Sequence, residues 1–221
     1  MTSIAIYQPN FIPWLNFFRR LNKVDKFVFL DHVNFQKNGL QNRNKIIVNN
    51  KETWLTIPVK KELNIKISNV KIAYERDWRS KHLNTIRQSY CKSEYFKDYF
   101  KKIEQIYNNK KVYLIDFNLE FIKFINSELN IKTPITLSSE LNINDRSTDM
   151  IIKICKLMKG DLYISGYGSL NYLHPNKFKE NKIKLEFDDT KESLQNYGQL
   201  SILHLLFSNS KEDLKKMINY E

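Results

Sequence analysis

The spacing of apolar residues changes period along the chain, and the changes mark out the elements. Ser3–Tyr7 (SIAIY) is a short apolar run stopped by Gln8-Pro9-Asn10, the pattern of a buried strand closed by a turn. Pro13 suits a helix entrance, and a helix is predicted over Trp14–Asn22. Lys26–Asp31 (KFVFLD) reads as a second strand, rich in aromatics and ending in an acid. A strand, helix and strand in such quick succession form a βαβ unit, which implies parallel strands and a right-handed crossover. A polar loop from His32 to Asn44 follows, then strands near Lys45–Val48 and Thr53–Val59 that turn at Asn49-Asn50.

Residues 70–160 are predicted to be mainly helical. Apolar positions recur at helical spacing from Trp78 to Tyr107 and again from Tyr113 to Leu129, and Asp145 or Ser147 could cap a third helix through Leu157. Alternation then returns. Asp161–Ile164 is a strand, Ser165–Ser169 a loop, Leu170–Lys179 a short helix and Ile183–Phe187 a strand; apolar Leu200–Phe207 and an amphipathic helix over Lys211–Tyr220 close the chain. Strands alternating with helices imply an α/β fold, a mostly parallel sheet with some antiparallel pairing. With five Gly, five Pro and no linker-like stretch, residues 1–221 are expected to form one domain with a helical middle.

Composition narrows the class. An apolar content of 42% with 13% aromatics excludes an intrinsically disordered chain. No apolar run reaches the length of a membrane span, and MTSIAIYQPNFIPW lacks the basic and apolar regions of a signal peptide, so a soluble cytoplasmic protein is expected. The net charge of +12 suits nucleic acid, an anionic surface or a phosphorylated substrate, although solvated lysines on helix faces would produce it as well. Cys91 and Cys155 are far apart with no CxxC pattern, which points to reduced thiols rather than a metal site.

Three polar clusters fall at strand ends, where open α/β sheets bind ligands. In the first, Gln8 and Asn10 offer uncharged amides around Pro9, suited to a sugar hydroxyl or carbonyl, or equally to an ordinary turn. The second runs from Asp31 through Lys37 to Gln41-Asn42-Arg43-Asn44. Asp31 is a candidate general base, and Arg43, one of seven arginines, a candidate phosphate fork; an Asp31–Arg43 ion pair that merely pins the loop is the plainer alternative. The third, Ser165-Gly166-Tyr167-Gly168-Ser169, could form an anion-binding nest but matches neither the dinucleotide nor the P-loop fingerprint. His82, one turn after Trp78, is either a core histidine or a proton carrier. No GxSxG, HxExxH or paired-carboxylate spacing is present.

Together, YQPNFIPWLNFFRRL, FVFLDHVNFQKNGLQNRNKI, TWLTIPV, the Trp78–His82 helix, YISGYGSLNYL and QLSILHLLF resemble the WbqC-like protein family in order and over nearly the whole chain. The resemblance implies a role in O-antigen or related surface-polysaccharide synthesis, with transfer of glycine or another amino acid onto an amino sugar. It places Gln8, Asn10, Trp14, Asp31, Lys37, Asn42, Arg43, His82 and Ser165 at the family's polar positions. Tyr7 stands where relatives often carry His, Asn34 where Gln is frequent, and His204 where Asp is frequent, which bears on the last apolar helix as a ligand wall.

The expected activity is therefore aminoacyl or acyl transfer to a nucleotide-linked amino sugar. Asp31 or His82 would take the proton, Gln8, Asn10 or Asn42 would meet the oxyanion or sugar hydroxyls, and Arg43 and Lys37 would hold phosphate. Trp14, Ser165 and Gly166 complete the expected binding set. No covalent acyl-enzyme, cofactor or metal is expected, and the activated donor could be a charged tRNA, a coenzyme-linked acyl group or an ATP-derived species. An ATP-dependent amide ligase or nucleotidyltransferase is one alternative. A non-catalytic RNA- or polysaccharide-binding module is another, with Tyr95, Phe96, Tyr99 and Phe100 interleaved with lysines as its stacking surface.

Overall fold

A computed structural model describes residues 1–188 and 200–219, apart from the side chain of Tyr167. Five parallel strands form its central sheet: β1 (Ser3–Tyr7), β2 (Lys26–Phe29), β5 (Ile135–Leu137), β6 (Leu162–Gly166) and β7 (Lys184–Asp188), in the order β5-β2-β1-β6-β7. An antiparallel hairpin, β3 (Arg43–Val48) and β4 (Lys51–Thr56), stands apart as its own two-stranded sheet. The described helices are α1 (Leu15–Lys23), α2 (Trp78–Tyr90), α3 (Phe96–Asn108), α4 (Leu114–Leu129), α5 (Ser147–Leu157), α6 (Pro175–Glu180), α7 (Leu203–Ser208) and α8 (Lys211–Asn219).

Side chains that alternate along the strands feed two cores. Ala5, Phe27, Phe29 and Ile164 face the larger one, where Phe17 packs between Phe27 and Phe29 with ring centroids 5.6 and 6.1 Å away. Ile4, Ile6, Val28 and Tyr163 face the other, which α5 and α6 cover through Ile151, Cys155 and Phe178. Helices on both faces of a parallel sheet make a three-layer α/β fold, as the alternation implies. The β1–α1–β2 unit is parallel as expected, Ala5 pairing with Phe27, and the Asn49-Asn50 turn has both residues at positive φ, 49° and 60°.

Several local expectations need correction. The helical spacing from Trp78 to Tyr107 is carried by two helices, α2 and α3: Cys91 N–H closes the last regular bond to the Arg87 carbonyl, and Ser93 N–H then donates to the Tyr90 carbonyl in a tighter turn, an interruption that no Gly or Pro announces. The middle segment also holds β5, whose three residues are too few to display a period; Phe27 N–H donates to the Pro134 carbonyl and seats it on the sheet edge. Neither Asp145 nor Ser147 caps α5: Arg146 occupies that place without a side-chain bond, and Ser147 sits at φ 52°. The helix expected over Leu170–Lys179 shortens to α6, entered at Pro175. The expected antiparallel pairing, by contrast, is present in the β3–β4 hairpin, and the main sheet is parallel. Tyr220, the expected end of the last helix, lies outside the described residues.

Cys91 and Cys155 are free thiols, Cys91 exposed and Cys155 buried. Among the described residues no helix is long and apolar enough to cross a membrane, and no group of His, Cys, Asp and Glu converges in a way that could hold a metal ion.

Candidate functional site

The chain runs from β1 to β2 and β5 on one side of the sheet, while β6 and β7 lie on the other, so strand order reverses between β1 and β6. Loops leaving these two strands diverge, and a crevice opens at their carboxyl ends. A cleft of about 500 Å³ occupies that place, within the range of small-molecule sites.

Its floor is built around Arg20, on the buried side of α1 and 3% exposed. Arg20 Nη2 lies 3.2 Å from an Asp188 carboxylate oxygen, and both side chains are nearly sealed from water. Lys23 Nζ reaches the other oxygen at 3.1 Å. The same guanidinium donates through Nη1 to Tyr7 Oη and lies 4.9 Å from that ring's centroid. Gly166 ends β6 here: a Cβ would come within 2.6 Å of Tyr7 Oη, so only glycine lets the strand approach this pair.

One wall comes from the loops after β1 and before β3. Gln41 Nε2 donates to Gln8 Oε1, and Asn10 and Trp14 line the same side. Asn118 of α4 binds the two loops together, its Nδ2 donating to the Pro9 and Gln41 carbonyls, each at 2.8 Å. The opposite wall follows β6. Ser165 Oγ and Ser169 Oγ share a hydrogen bond, Ser169 Oγ donates to the Gly166 carbonyl at 2.7 Å, and Tyr172, 56% exposed, forms the rim. Burial raises the phenol pKa of both Tyr163 and Tyr172, which keeps them protonated donors near neutral pH. Two buried lining groups lack a hydrogen-bond partner, the acceptor Gln41 Oε1 and the donor Arg20 Nε. Both atoms are sealed from the surface, and Gln41 Oε1 packs against Gly39, so they belong to the packing behind the cleft lining.

Of the residues singled out from sequence, Gln8, Asn10, Trp14, Ser165 and Gly166 meet in this cleft. The others stand elsewhere. Asp31 is 1% exposed at the end of β2, its carboxylate accepting from Ser138 Oγ (2.9 Å), Ser139 N–H (2.8 Å) and Ser139 Oγ (2.7 Å); it anchors the turn after β5 rather than pairing with Arg43. His82 is a core histidine packed against Trp78, Tyr107 and Phe11, and burial pushes its pKa down to about 4 despite a backbone bond with Thr56. Arg43 stacks on Trp54, 4.3 Å from the ring, and donates to the Asn38 carbonyl. Asn42 donates to the Ile57 carbonyl at 2.9 Å, and Lys37 is exposed on the turn before Gly39. Asn34 is exposed and bridges to Lys66. His204 lies beside Tyr90, and α7 supplies no residue to the cleft. The α3 aromatics Phe96, Tyr99 and Phe100 are core residues, which removes them as a stacking surface.

Sequence reasoning named Gln41 only as a member of the second cluster, and it missed Arg20, Asn118 and Asp188 as parts of the site. Arg20 follows Arg19 in an amphipathic helix and looks like a solvated charge; only its phase, one turn after Asn16 and Phe17, turns it inward.

The fold and site define a three-layer α/β protein with a polar cleft at the reversal of strand order. The family model described as the WbqC-like protein family matches residues 8–216, and the chain belongs to that family. It is also similar to "Uncharacterized protein Rv1507c" of Mycobacterium tuberculosis (strain ATCC 25618 / H37Rv), with 28% identity over 222 aligned residues that cover 96% of each chain. No solved structure matches it significantly.

Proposed function

We propose that this protein transfers an aminoacyl or acyl group to the amine of a nucleotide-linked amino sugar in surface-polysaccharide (O-antigen) synthesis. The observation that carries the reading is the lining of the cleft at the reversal of strand order, where the amides of Gln8, Asn10 and Gln41 meet the hydroxyls of Ser165, Ser169 and Tyr172. Such a lining suits a polyhydroxylated ring, since each ligand hydroxyl can both give and accept a hydrogen bond. Because the buried guanidinium of Arg20 is already paired with Asp188, the deep end would favour the neutral sugar, and the phosphates would lie towards the rim. The new N–C bond forms as the sugar amine attacks the donor carbonyl, and the carbonyl–oxygen or carbonyl–sulfur bond of the donor breaks. The amine proton passes to the departing atom, and amide N–H groups of Gln8 or Asn10 would steady the oxyanion. Asp31 and His82, saturated and core-packed, take no part in this scheme.

The test is to incubate the protein with nucleotide-linked amino sugars and charged tRNA, coenzyme-linked acyl donors or free amino acid plus ATP, and to weigh the sugar by mass spectrometry. A gain of one aminoacyl or acyl mass is expected. Sugar binding without any gain from every donor would remove the transferase reading, and ATP consumption with pyrophosphate release would replace it with a ligase.

A further inference from the structure

A second cavity, of about 520 Å³, lies outside the cleft and carries a different chemistry. Lys60, Lys71, Lys110 and Lys111 line it together with Tyr74, Glu75, Ile72 and Val112. Their backbones are locked side by side: Lys60 N–H donates to the Lys71 carbonyl, Ile72 N–H to Val112, and Lys71 bridges to Tyr113. The lysine stems therefore rise from a rigid three-segment ladder rather than a loose loop. Lys111 is paired with Glu120 at 3.0 Å, but Lys60, Lys71 and Lys110 have no carboxylate within ion-pair distance among the described residues. Tyr74 Oη donates to the Lys111 carbonyl at 2.8 Å and fixes the ring, which Lys110 Nζ and Arg79 approach at 5.0 and 5.4 Å from its centroid.

We propose that this cavity docks the phosphate backbone of RNA; resting on the reading above, that RNA is the tRNA body of an aminoacyl donor. Three ammonium groups with no carboxylate partner among the described residues, on adjacent segments of a chain of net charge +12, match a row of phosphates. Exposed lysines, with no buried fork or backbone nest, suit a repeated backbone charge better than one small phosphate.

Deacylated tRNA is the probe, so the measurement does not depend on catalysis. Its affinity for the wild type is followed by fluorescence polarisation between roughly 50 and 200 mM salt, beside K60A/K71A/K110A and a control of equal charge change, K97A/K101A/K123A. The cavity variant should lose about tenfold or more in affinity at moderate salt, with a shallower salt dependence by about two to three counterions, while the control loses about threefold at most. Equal loss in both variants would overturn the proposal, as would the absence of tRNA binding by the wild type at low salt. Complete displacement of tRNA by millimolar ATP or pyrophosphate would make this a small-phosphate site and overturn it too. If tRNA docks here but no sugar gains mass, the transferase reading fails and the docking site stands; transfer from another donor without tRNA binding has the opposite meaning.

Discussion

Asp188→Ala offers the sharpest test of how the cleft floor is built. Arg20 and Asp188 are 3.2 Å apart with side-chain exposures of 3% and 2%, so removing the carboxylate leaves a guanidinium buried beside Tyr7. Breaking a buried pair in this way costs about 3–5 kcal/mol, most of it the penalty of the uncompensated charge. Lys23 adds to the problem, because its ammonium then faces the same vacated corner. For a chain of this size each kcal/mol moves the melting temperature by roughly 2–4 °C, which gives a fall of about 6–20 °C. Urea unfolding followed by tryptophan fluorescence, with calorimetry beside it, measures both quantities. The charge argument makes a second demand: Arg20→Met combined with Asp188→Ala should recover at least about 1 kcal/mol over Asp188→Ala alone, since the double variant buries no ion. An Asp188→Ala protein within about 1 kcal/mol of the wild type, or a double variant no better than the single one, would refute the reasoning.

Gly166→Ala puts a methyl 2.6 Å from Tyr7 Oη and 3.3 Å from Arg20 Nη1, both held by neighbours; it should cost about 1–3 kcal/mol and abolish calorimetric binding of nucleotide-linked amino sugars. His82 titrates near 6.5 when unfolded and near 4 in the fold, so the unfolded chain takes up the proton first as pH falls. Stability present above pH 6.5 is therefore lost on descending towards pH 4, by about 3 kcal/mol, and His82→Phe should flatten that limb of the pH–stability curve; superimposable slopes would count against it. Asp31→Ala removes the acceptor of three hydrogen bonds and should destabilise by about 3 kcal/mol while a still-folded Asp31→Asn protein keeps its sugar affinity. Turnover lost in Asp31→Asn with stability intact would restore Asp31 as a base. Arg43→Ala, with its guanidinium on Trp54, should leave sugar binding nearly unchanged.

Much of the architecture was legible because its signals are local. Ser3–Tyr7 and Lys26–Phe29 announce strands through a few consecutive apolar residues, Asn49-Asn50 accepts the left-handed turn, and the heptad-like faces of α3 and α4 show their period over three or more turns. Motif order across the chain was enough to indicate the WbqC-like family. Gln8, Asn10, Ser165 and Gly166 were legible as cleft residues because each lies at the carboxyl end of a strand or just after it, and parallel strands all deliver their loops to the same edge.

The sequence by itself thus determined most of the elements, the parallel alternation and three polar clusters at strand ends. Which loops meet was decided by the strand order β5-β2-β1-β6-β7, set by non-local pairing: β6 docks beside β1 from more than 150 residues away, and β2 is carried to the other side together with Asp31. That order sends Asp31 to Ser138 and Ser139 and turns Arg20 of α1 towards Asp188 of β7. A side chain's charge is written in its codon, but its partner and its degree of burial follow from which distant segments pack around it, and those two quantities decide whether an ion reacts, binds or merely holds the fold together.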